Sequence, residues 1–413
     1  MPIAAIVLAA HDFAATFDAS NRTEVRGRET QGAPPPNPGL DIVDAPALAL
    51  HAKNGIWDLG LGYAALALLP DVEVGVTPQL TQTADASVEW QERRVRMRLG
   101  ETGLFGDQNS AYLLGGGPPT PSATPSTPTV TPAGGGVQAL TPPATLLYGS
   151  SRTSLAAQYA LSRRWSASAT IDYSITGGLD APSRAFLPVV RSPRGEGAIQ
   201  YSLTRLDGLG TRLSALRADT SSGPCSVALT TLPPNSTCSP IVEEVQLEEA
   251  WTHRLTRTSD VSFGGGATFV HEQSRAIDPF VDVLYPVARA TFTDSEGTTD
   301  SALQLRFEAL LAPVLDIRTG ILDERVQANA TAAVPIRRVT IDGGLGATRS
   351  IASQFLQPLT TVQAFVEAEY ALSKTVGVGG GVRFAWQNQE GAGSFTGEML
   401  SGHLTVRLPT ARF

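Results

Sequence analysis

Lysine is almost absent from this 413-residue chain, in which Lys53 and Lys374 are the only lysines among 31 basic residues. The formal net charge is −8. An acidic chain without a lysine-rich patch offers no track for nucleic-acid phosphates, so we expect no nucleic-acid partner. Charged residues make up 17% of the chain, which is lean for an ordinary soluble domain, whereas 42% hydrophobic residues are too many for a disordered protein.

Long hydrophobic runs are also missing. No apolar stretch approaches about 18 residues, so the sequence excludes transmembrane helices. The chain is rich instead in residues that interrupt secondary structure, with 40 glycines and 29 prolines. This composition argues against long helices and predicts many turns.

Alternation at period two is the dominant pattern. From Val326 to Ile336 apolar residues occupy every even position, and Gln327, Asn329 and Thr331 lie between them. Similar runs begin at Arg164, Leu303, Thr361 and Leu400. The runs last about 10 to 12 residues, close to the length with which a tilted strand crosses a bilayer. A soluble β-sandwich or solenoid also alternates, but it has no reason to keep long uncharged rows in strand after strand.

The connections between these runs alternate between tight and long. Tight ones include residues 54–55, 163–164, 207–210 and 337–338, and long ones include residues 27–41, 109–145, 179–194 and 221–242. Short periplasmic turns and long extracellular loops are typical of outer-membrane barrels. The predicted fold class is therefore all-β: a transmembrane antiparallel up-and-down β-barrel of about 18 strands, within a range of 16–18. It would run from near Phe13 to Phe413, with both termini on the periplasmic side.

The whole chain resembles bacterial outer-membrane β-barrel proteins, and Phe413 matches the aromatic residue that usually ends their last strand. Pro409 departs from the pattern, because it shifts Phe413 out of phase with Leu404 and Val406. The resemblance implies a location in the bacterial outer membrane and contact with outer-membrane lipid. It also implies insertion by the barrel-assembly machinery through the C-terminal strand. The five tryptophans lie at or near strand ends, where interface anchors belong: Trp57, Trp90, Trp165, Trp251 and Trp386.

Three segments are interpreted separately from the strands. Residues 1–10 form a short apolar stretch that we interpret as the remnant of a signal peptide, with a first strand that begins apolar as the alternative. Residues 11–413 would then form a single barrel. The Pro/Thr/Gly-rich segment 115–143 cannot bury a core and forms either an external loop, which we favour, or an inward constriction. Cys225 and Cys238 enclose twelve residues without a histidine, which predicts a loop disulfide in an oxidising compartment.

Charged residues recur on the polar face, which a barrel turns inward. The predicted lumen-lining set comprises Asp85, Glu89, Arg94, Arg96, Arg98, Glu244, Glu248, Arg306, Glu308, Glu367, Glu369 and Arg383. Two interpretations stay open. In the first, the charges form a constriction that sets solute or ion preference. In the second, opposite charges crosslink the inner wall, and this costs little free energy because water is near. Their signs are mixed, so strong ion selectivity does not follow.

Catalytic and cofactor motifs are lacking. None of the five histidines belongs to an HExxH motif or a Cys/His cluster, and the chain has no Gly-x-Ser-x-Gly elbow or phosphate loop. The glycines at 264–266 and 377–381 lie within strand patterns, so we interpret them as barrel curvature or space in the lumen. His271 lies near an outer loop but shows no obvious catalytic partner. We therefore predict no enzymatic activity, no metal and no cofactor.

The sequence favours a channel that passes hydrophilic solutes, because barrels of 16–18 strands leave an aqueous lumen and nothing in this chain forms a plug domain. One alternative is an export barrel for polysaccharide that works with a periplasmic partner. Another is a structural or adhesive barrel that acts through its loops.

Overall fold

The computed structural model describes residues 13–32, 39–69, 78–109, 145–221, 223–224, 237–273, 279–296, 303–316, 321–352, 358–389 and 393–412. The expectations for residues 1–10, for the segment 115–143, for Cys225 and for Phe413 lie outside these residues. The disulfide and the terminal aromatic anchor therefore stay predictions.

The described residues form eighteen long strands. The first nine are β1 (Ala14–Gly32), β2 (Gly39–Lys53), β3 (Trp57–Leu69), β4 (Gln79–Gln91), β5 (Val95–Asn109), β6 (Thr145–Ala160), β7 (Trp165–Gly178), β8 (Val190–Ser202) and β9 (Asp207–Thr220). After the short strands β10 (Gly223–Pro224) and β11 (Thr237–Cys238), the other nine are β12 (Ile241–Arg254), β13 (Ser259–Gln273), β14 (Val281–Glu296), β15 (Leu303–Asp316), β16 (Ile321–Ile336), β17 (Val339–Ala352), β18 (Leu359–Ala371), β19 (Val376–Gln389) and β20 (Gly393–Arg407). A two-residue strand, β21 (Ala411–Arg412), follows.

The long strands form one closed antiparallel barrel. Each pairs with its neighbour in the chain, β9 pairs with β12 across the β10–β11 hairpin, and β1 pairs with β20. Closure removes the free sheet edges, which is what lipid demands of a spanning β-structure. The predicted 18-strand up-and-down barrel is confirmed. No helix in the described part of the chain is long and apolar enough to cross a membrane.

The two faces of the wall differ in the way that a membrane requires. Leu213 and Leu247 are directly opposite on β9 and β12, and each exposes half or more of its surface on the outer face. The next residue pair along the same strands, Arg212 and Glu248, points inward, and Glu248 is only 4% exposed. Apolar side chains are thus outside and polar side chains inside, the reverse of a water-soluble core.

Aromatic side chains mark the end of the barrel that carries the short turns. Trp57 on β3 is directly opposite Trp90 on β4. Trp165 on β7 packs against Tyr201 on β8 with ring centroids 4.5 Å apart. These rings lie on the outer face at strand ends, which is where a membrane interface holds tryptophan and tyrosine.

One of the predicted turns is displaced along the chain. The sequence suggested a turn at residues 207–210, but Asp207 begins β9 and the turn lies at residues 203–206. Asp207 accepts a hydrogen bond from Thr204 Oγ1 at 2.7 Å, which closes the turn before the strand starts. On the other side of the barrel, Pro409 ends β20, and the chain rejoins β1 as β21.

The interior is not polar throughout. Inward-facing side chains near the long-loop end of the barrel form a buried apolar cluster: Val190, Ala218, Val242, Val270, Tyr285 and Leu322. Leu322 comes from β16, which is not adjacent to β12 or β13 in the sheet. The end of β16 therefore bends inward over the lumen. Helix α1 (Ala181–Phe186) also lies on the inner side, where its Ser183 Oγ accepts a hydrogen bond from the Leu147 N–H.

Candidate functional site: the charged inner wall

One group of charges joins β18, β20 and β1 across the inner wall. Glu369 on β18 accepts hydrogen bonds from Arg407 at 2.6 Å and from Thr405 at 3.3 Å, both on β20. Strand β19 lies between them and carries glycine at the facing positions. A Cβ atom at Gly377 would lie 2.5 Å from Glu369 Oε1. The Glu369 side chain reaches across β19 to β20 because the glycines of β19 place no side chain in its way.

The same group continues onto the first strand of the barrel. Arg22 on β1 donates to Glu367 at 2.7 Å, although 345 positions separate the two residues. Arg383 Nη2 on β19 lies 3.7 Å from the other oxygen of Glu367. Glu24 on β1 accepts from Arg26 at 2.9 Å. Because β1 closes on β20, the two ends of the chain supply one continuous charged surface, which we call the seam cluster.

A second group, the β12 cluster, is centred on Glu248. Its carboxylate contacts Arg212 on β9, and Arg289 on β14 lies 3.9 Å away. Gln246 donates to it at 3.3 Å. A Cβ atom at Gly264, on the intervening β13, would lie 2.8 Å from Glu248 Oε1. The arrangement repeats that of the seam cluster: an acid passes over a glycine toward an arginine two strands away.

The predicted charges near the second short turn come together only in part. Arg96 donates to both oxygens of Glu89, at 2.7 and 2.8 Å, in a bidentate ion pair. Arg98 is directly opposite Glu89 on the adjoining strand, and Arg94 lies in the turn itself. Asp85 faces the other neighbour, since a Cβ atom at Gly62 would lie 2.2 Å from its Oδ1.

The remaining predicted residues face inward without joining either cluster centre. Arg306 donates to Glu308 along β15 at 3.1 Å. Glu244 lies on the inner face of β12, four residues from Glu248. The twelve predicted residues therefore occupy the lumen wall or its rim but do not form one ring.

His403 Nε2 also lies 3.6 Å from Glu369, and Glu196 lies between Arg194 and Arg212, at 3.3 and 3.7 Å. Sequence analysis missed these and other residues that complete the groups: Arg22, Glu24, Arg26, Arg194, Glu196, Arg212, Arg289, His403 and Arg407. Period-two alternation could have found most of them, because β1 alternates Arg22, Glu24 and Arg26 with apolar or small polar residues. Their partners could not be found in this way. Pairing depends on how the barrel closes, and the sequence pattern contains no closure register.

The wall formed by these pairs is charged but locally neutral. Each acid of this wall described above lies beside at least one arginine, except Asp85 and Glu244, which form no ion pair within the described part of the chain. Ion pairs next to water contribute little to stability, about 0–1 kcal/mol each. They do present closely spaced donors and acceptors to whatever fills the lumen.

His271 has a partner that the sequence did not reveal. Its Nδ1 lies 2.6 Å from Asp282 Oδ1, and its ring stacks on Phe280 with centroids 4.1 Å apart. The pair lies on the outer face of the barrel, because His271 alternates with inward-facing Val270 and Glu272. Directly opposite His271 on the other side is Glu243, a second carboxylate. The structure thus gives His271 a carboxylate neighbour, although a histidine–aspartate pair alone is not a catalytic set.

A closed antiparallel barrel with an apolar outer face, aromatic strand ends and a polar interior is a bacterial outer-membrane β-barrel, and the outer membrane is its location. The chain belongs to the EpsX exopolysaccharide export family, whose profile matches residues 5–404.

Solved structures resemble the chain at low identity. The outer-membrane protein OpdK from Pseudomonas aeruginosa is 8% identical and has a TM-score of 0.45, with 95% of this chain and 99% of that one covered. The copper transporter OprC is 10% identical with a TM-score of 0.47; 89% of this chain is aligned, and it spans 61% of that protein. A bacterial polysaccharide outer-membrane secretin is 11% identical with a TM-score of 0.36, covering 94% and 98%. No curated protein sequence matches the chain.

Proposed function

We propose that this barrel is the outer-membrane conduit through which an exopolysaccharide leaves the cell, without a chemical reaction. The family match over residues 5–404 carries the proposal. The channel with a polar, mixed-charge lumen that the sequence favoured becomes, in this proposal, the path of a polymer.

The inner wall supports this substrate class. A polysaccharide presents many hydroxyl groups and few charges. It is therefore bound by many weak hydrogen-bond donors and acceptors. The seam cluster and the β12 cluster supply such groups at several levels, and their paired charges hold no single ion tightly. Barrels of this strand number leave an aqueous lumen unless something plugs them.

A periplasmic partner belongs to the proposal. The barrel spans only the outer membrane, and its turns on the periplasmic side are short. A polymer made at the inner membrane must cross the periplasm first, so we propose a partner that delivers it to the turn end. The apolar cluster around Leu322 lies at the opposite end, and in this proposal it narrows the exit of the path.

The experiment is deletion of the gene followed by complementation. We expect deletion to abolish cell-surface exopolysaccharide and to trap it in the periplasm, and the intact chain to restore export. Normal surface polysaccharide in the deletion strain would contradict the proposal.

The second candidate is a diffusion channel for small hydrophilic solutes, which the mixed charges and width of the barrel also favour. Liposome swelling with small sugars separates the two functions. A diffusion channel admits them at rates set by size alone, whereas an export conduit with a narrowed outer end admits them slowly. An adhesive function through the segment 115–143 stays a prediction from sequence.

A further inference from the structure

Among the described residues, one aromatic ring is well exposed on the inner wall. Of the described inward-facing aromatic side chains, Tyr285 is 6% exposed and Tyr148 is half-buried, whereas Phe365 on β18 is 38% exposed. Phe365 faces the lumen because it is directly opposite Arg383, whose guanidinium belongs to the seam cluster. An exposed apolar ring in a polar, water-filled lumen needs a reason, because the other large apolar side chains that face inward, such as Val242 and Leu322, are buried in the apolar cluster.

The wall makes room for this ring. Gly344 on β17 is directly opposite Phe365, and a Cβ atom there would lie 2.4 Å from Phe365 Cε1 and 2.9 Å from Cζ. The ring therefore leans over β17 at a position where any other residue would displace it. On the next strand, β16, Thr331 is directly opposite Gly344 and faces the lumen as well.

A carboxylate on the neighbouring strand β17 lies near the ring. Asp342 lies two residues from Gly344 and is directly opposite Glu367, so it is a diagonal neighbour of Phe365, about 7–8 Å away between Cα atoms. Asp342 is exposed, and no hydrogen bond or ion pair joins it to another residue in the part of the chain that the structure describes. The Phe365 ring and the Asp342 carboxylate are thus separated by about the width of one sugar ring.

We propose that Phe365 and Asp342 form a binding subsite for one neutral sugar residue of the passing polysaccharide. The inference rests on the proposed function and adds the residues that contact the polymer. The C–H face of a pyranose ring packs on an aromatic ring, and a carboxylate accepts hydrogen bonds from two adjacent hydroxyl groups. The sugar is neutral in this proposal, because Asp342 repels an anionic residue and the nearby Arg22 and Arg383 are already held by Glu367.

A subsite of this kind suits a conduit. Conduction requires that binding be favourable enough to enter and weak enough to leave. A single exposed ring with one carboxylate gives such weak binding, and the neighbouring charged clusters offer hydrogen bonds as the chain advances.

The test measures block of single-channel current by maltohexaose, a neutral oligosaccharide, in planar bilayers. We expect Phe365→Ala to shorten each blocking event by about 2- to 10-fold, which corresponds to the strength of one aromatic contact. Phe365→Trp should keep or lengthen the events, and Asp342→Asn should shorten them. Phe384→Ala is the matched control, because Phe384 lies on the outer face of the adjacent strand β19 and should leave the events unchanged.

The subsite is overturned if Phe365→Ala and the intact chain are blocked equally, if Phe384→Ala shortens the events as much, or if the intact chain shows no block. Phe365→Ile keeps the apolar volume without a ring face, so it replaces Phe365→Ala should that variant fail to insert. Export in cells is scored separately. Export that is normal while the block is unaffected by Phe365→Ala removes the subsite and keeps the conduit, whereas export that survives gene deletion removes the conduit.

Discussion

Glu369 occupies space that Gly377 leaves open, since a Cβ atom on the glycine would lie 2.5 Å from the carboxylate Oε1. The same relationship holds between Glu248 and Gly264, at 2.8 Å. In both places an acid crosses the strand beside it to reach an arginine on the next strand. Glycine in these strands is therefore part of the charge pairing and not only a device for curvature.

Gly379→Ala should destabilise the barrel by about 1–3 kcal/mol, the usual cost of overpacking. The new Cβ atom would lie 2.4 Å from the Ala368 carbonyl oxygen and 2.5 Å from His403 Nε2, and the backbone cannot move aside cheaply. Urea unfolding in lipid vesicles measures the change. Gly103→Ala is the control, because no atom lies within 4 Å of its Cβ position and we expect no loss there.

Ala330→Arg should cost about 2–4 kcal/mol, because Ala330 is on the outer face of β16, where the arginine would meet lipid. The neighbouring change Asn329→Arg places the same side chain in the lumen and should be tolerated. The same unfolding assay compares the two. Equal stability of both variants would contradict the assignment of faces in this strand.

Glu248→Gln should shift the ion preference of the channel toward anions, because Arg212 and Arg289 would lose the charge between them. The reversal potential of a single channel in a salt gradient measures this shift. Glu249→Gln removes the same charge from the outer face of the same strand and should leave the reversal potential unchanged. A shift of equal size in both variants would show that Glu248 does not line the conducting path.

Cys225 and Cys238 should be joined by a disulfide in protein isolated from membranes. We expect neither thiol to react with maleimide in denatured protein until a reductant is added. Labelling of both cysteines without reductant would refute the disulfide.

The architecture follows from the sequence because membrane strands repeat a simple rule. The alternation from Val326 to Ile336 predicts which side chains of β16 face lipid, and the structure confirms it for Ala330 and Asn329. The lengths of connections predict which end faces the periplasm. Both signals are local, so they do not depend on how distant parts of the chain meet.

The arrangement of the lumen could not be predicted in the same way. Arg22 and Glu367 are 345 positions apart, and their contact depends on the register in which β1 closes on β20. The space for the Phe365 ring likewise depends on Gly344 being directly opposite Phe365, which is a property of strand pairing. The inward bend of β16 accompanies a register shift between Glu324 and Arg325 that period two does not anticipate.

The central claim is that polysaccharide passes through this lumen, and a thiol-labelling measurement tests it most directly. The Asn329→Cys or the Ala330→Cys variant is expressed in cells as the only form of the barrel. The cells are treated with a bulky membrane-impermeant thiol reagent, and surface exopolysaccharide is then measured. The parent chain is treated in parallel. We predict that Asn329→Cys is labelled and that export falls, whereas Ala330→Cys, facing lipid, is not labelled and exports normally. Undiminished export with Asn329→Cys fully labelled would contradict passage through the lumen.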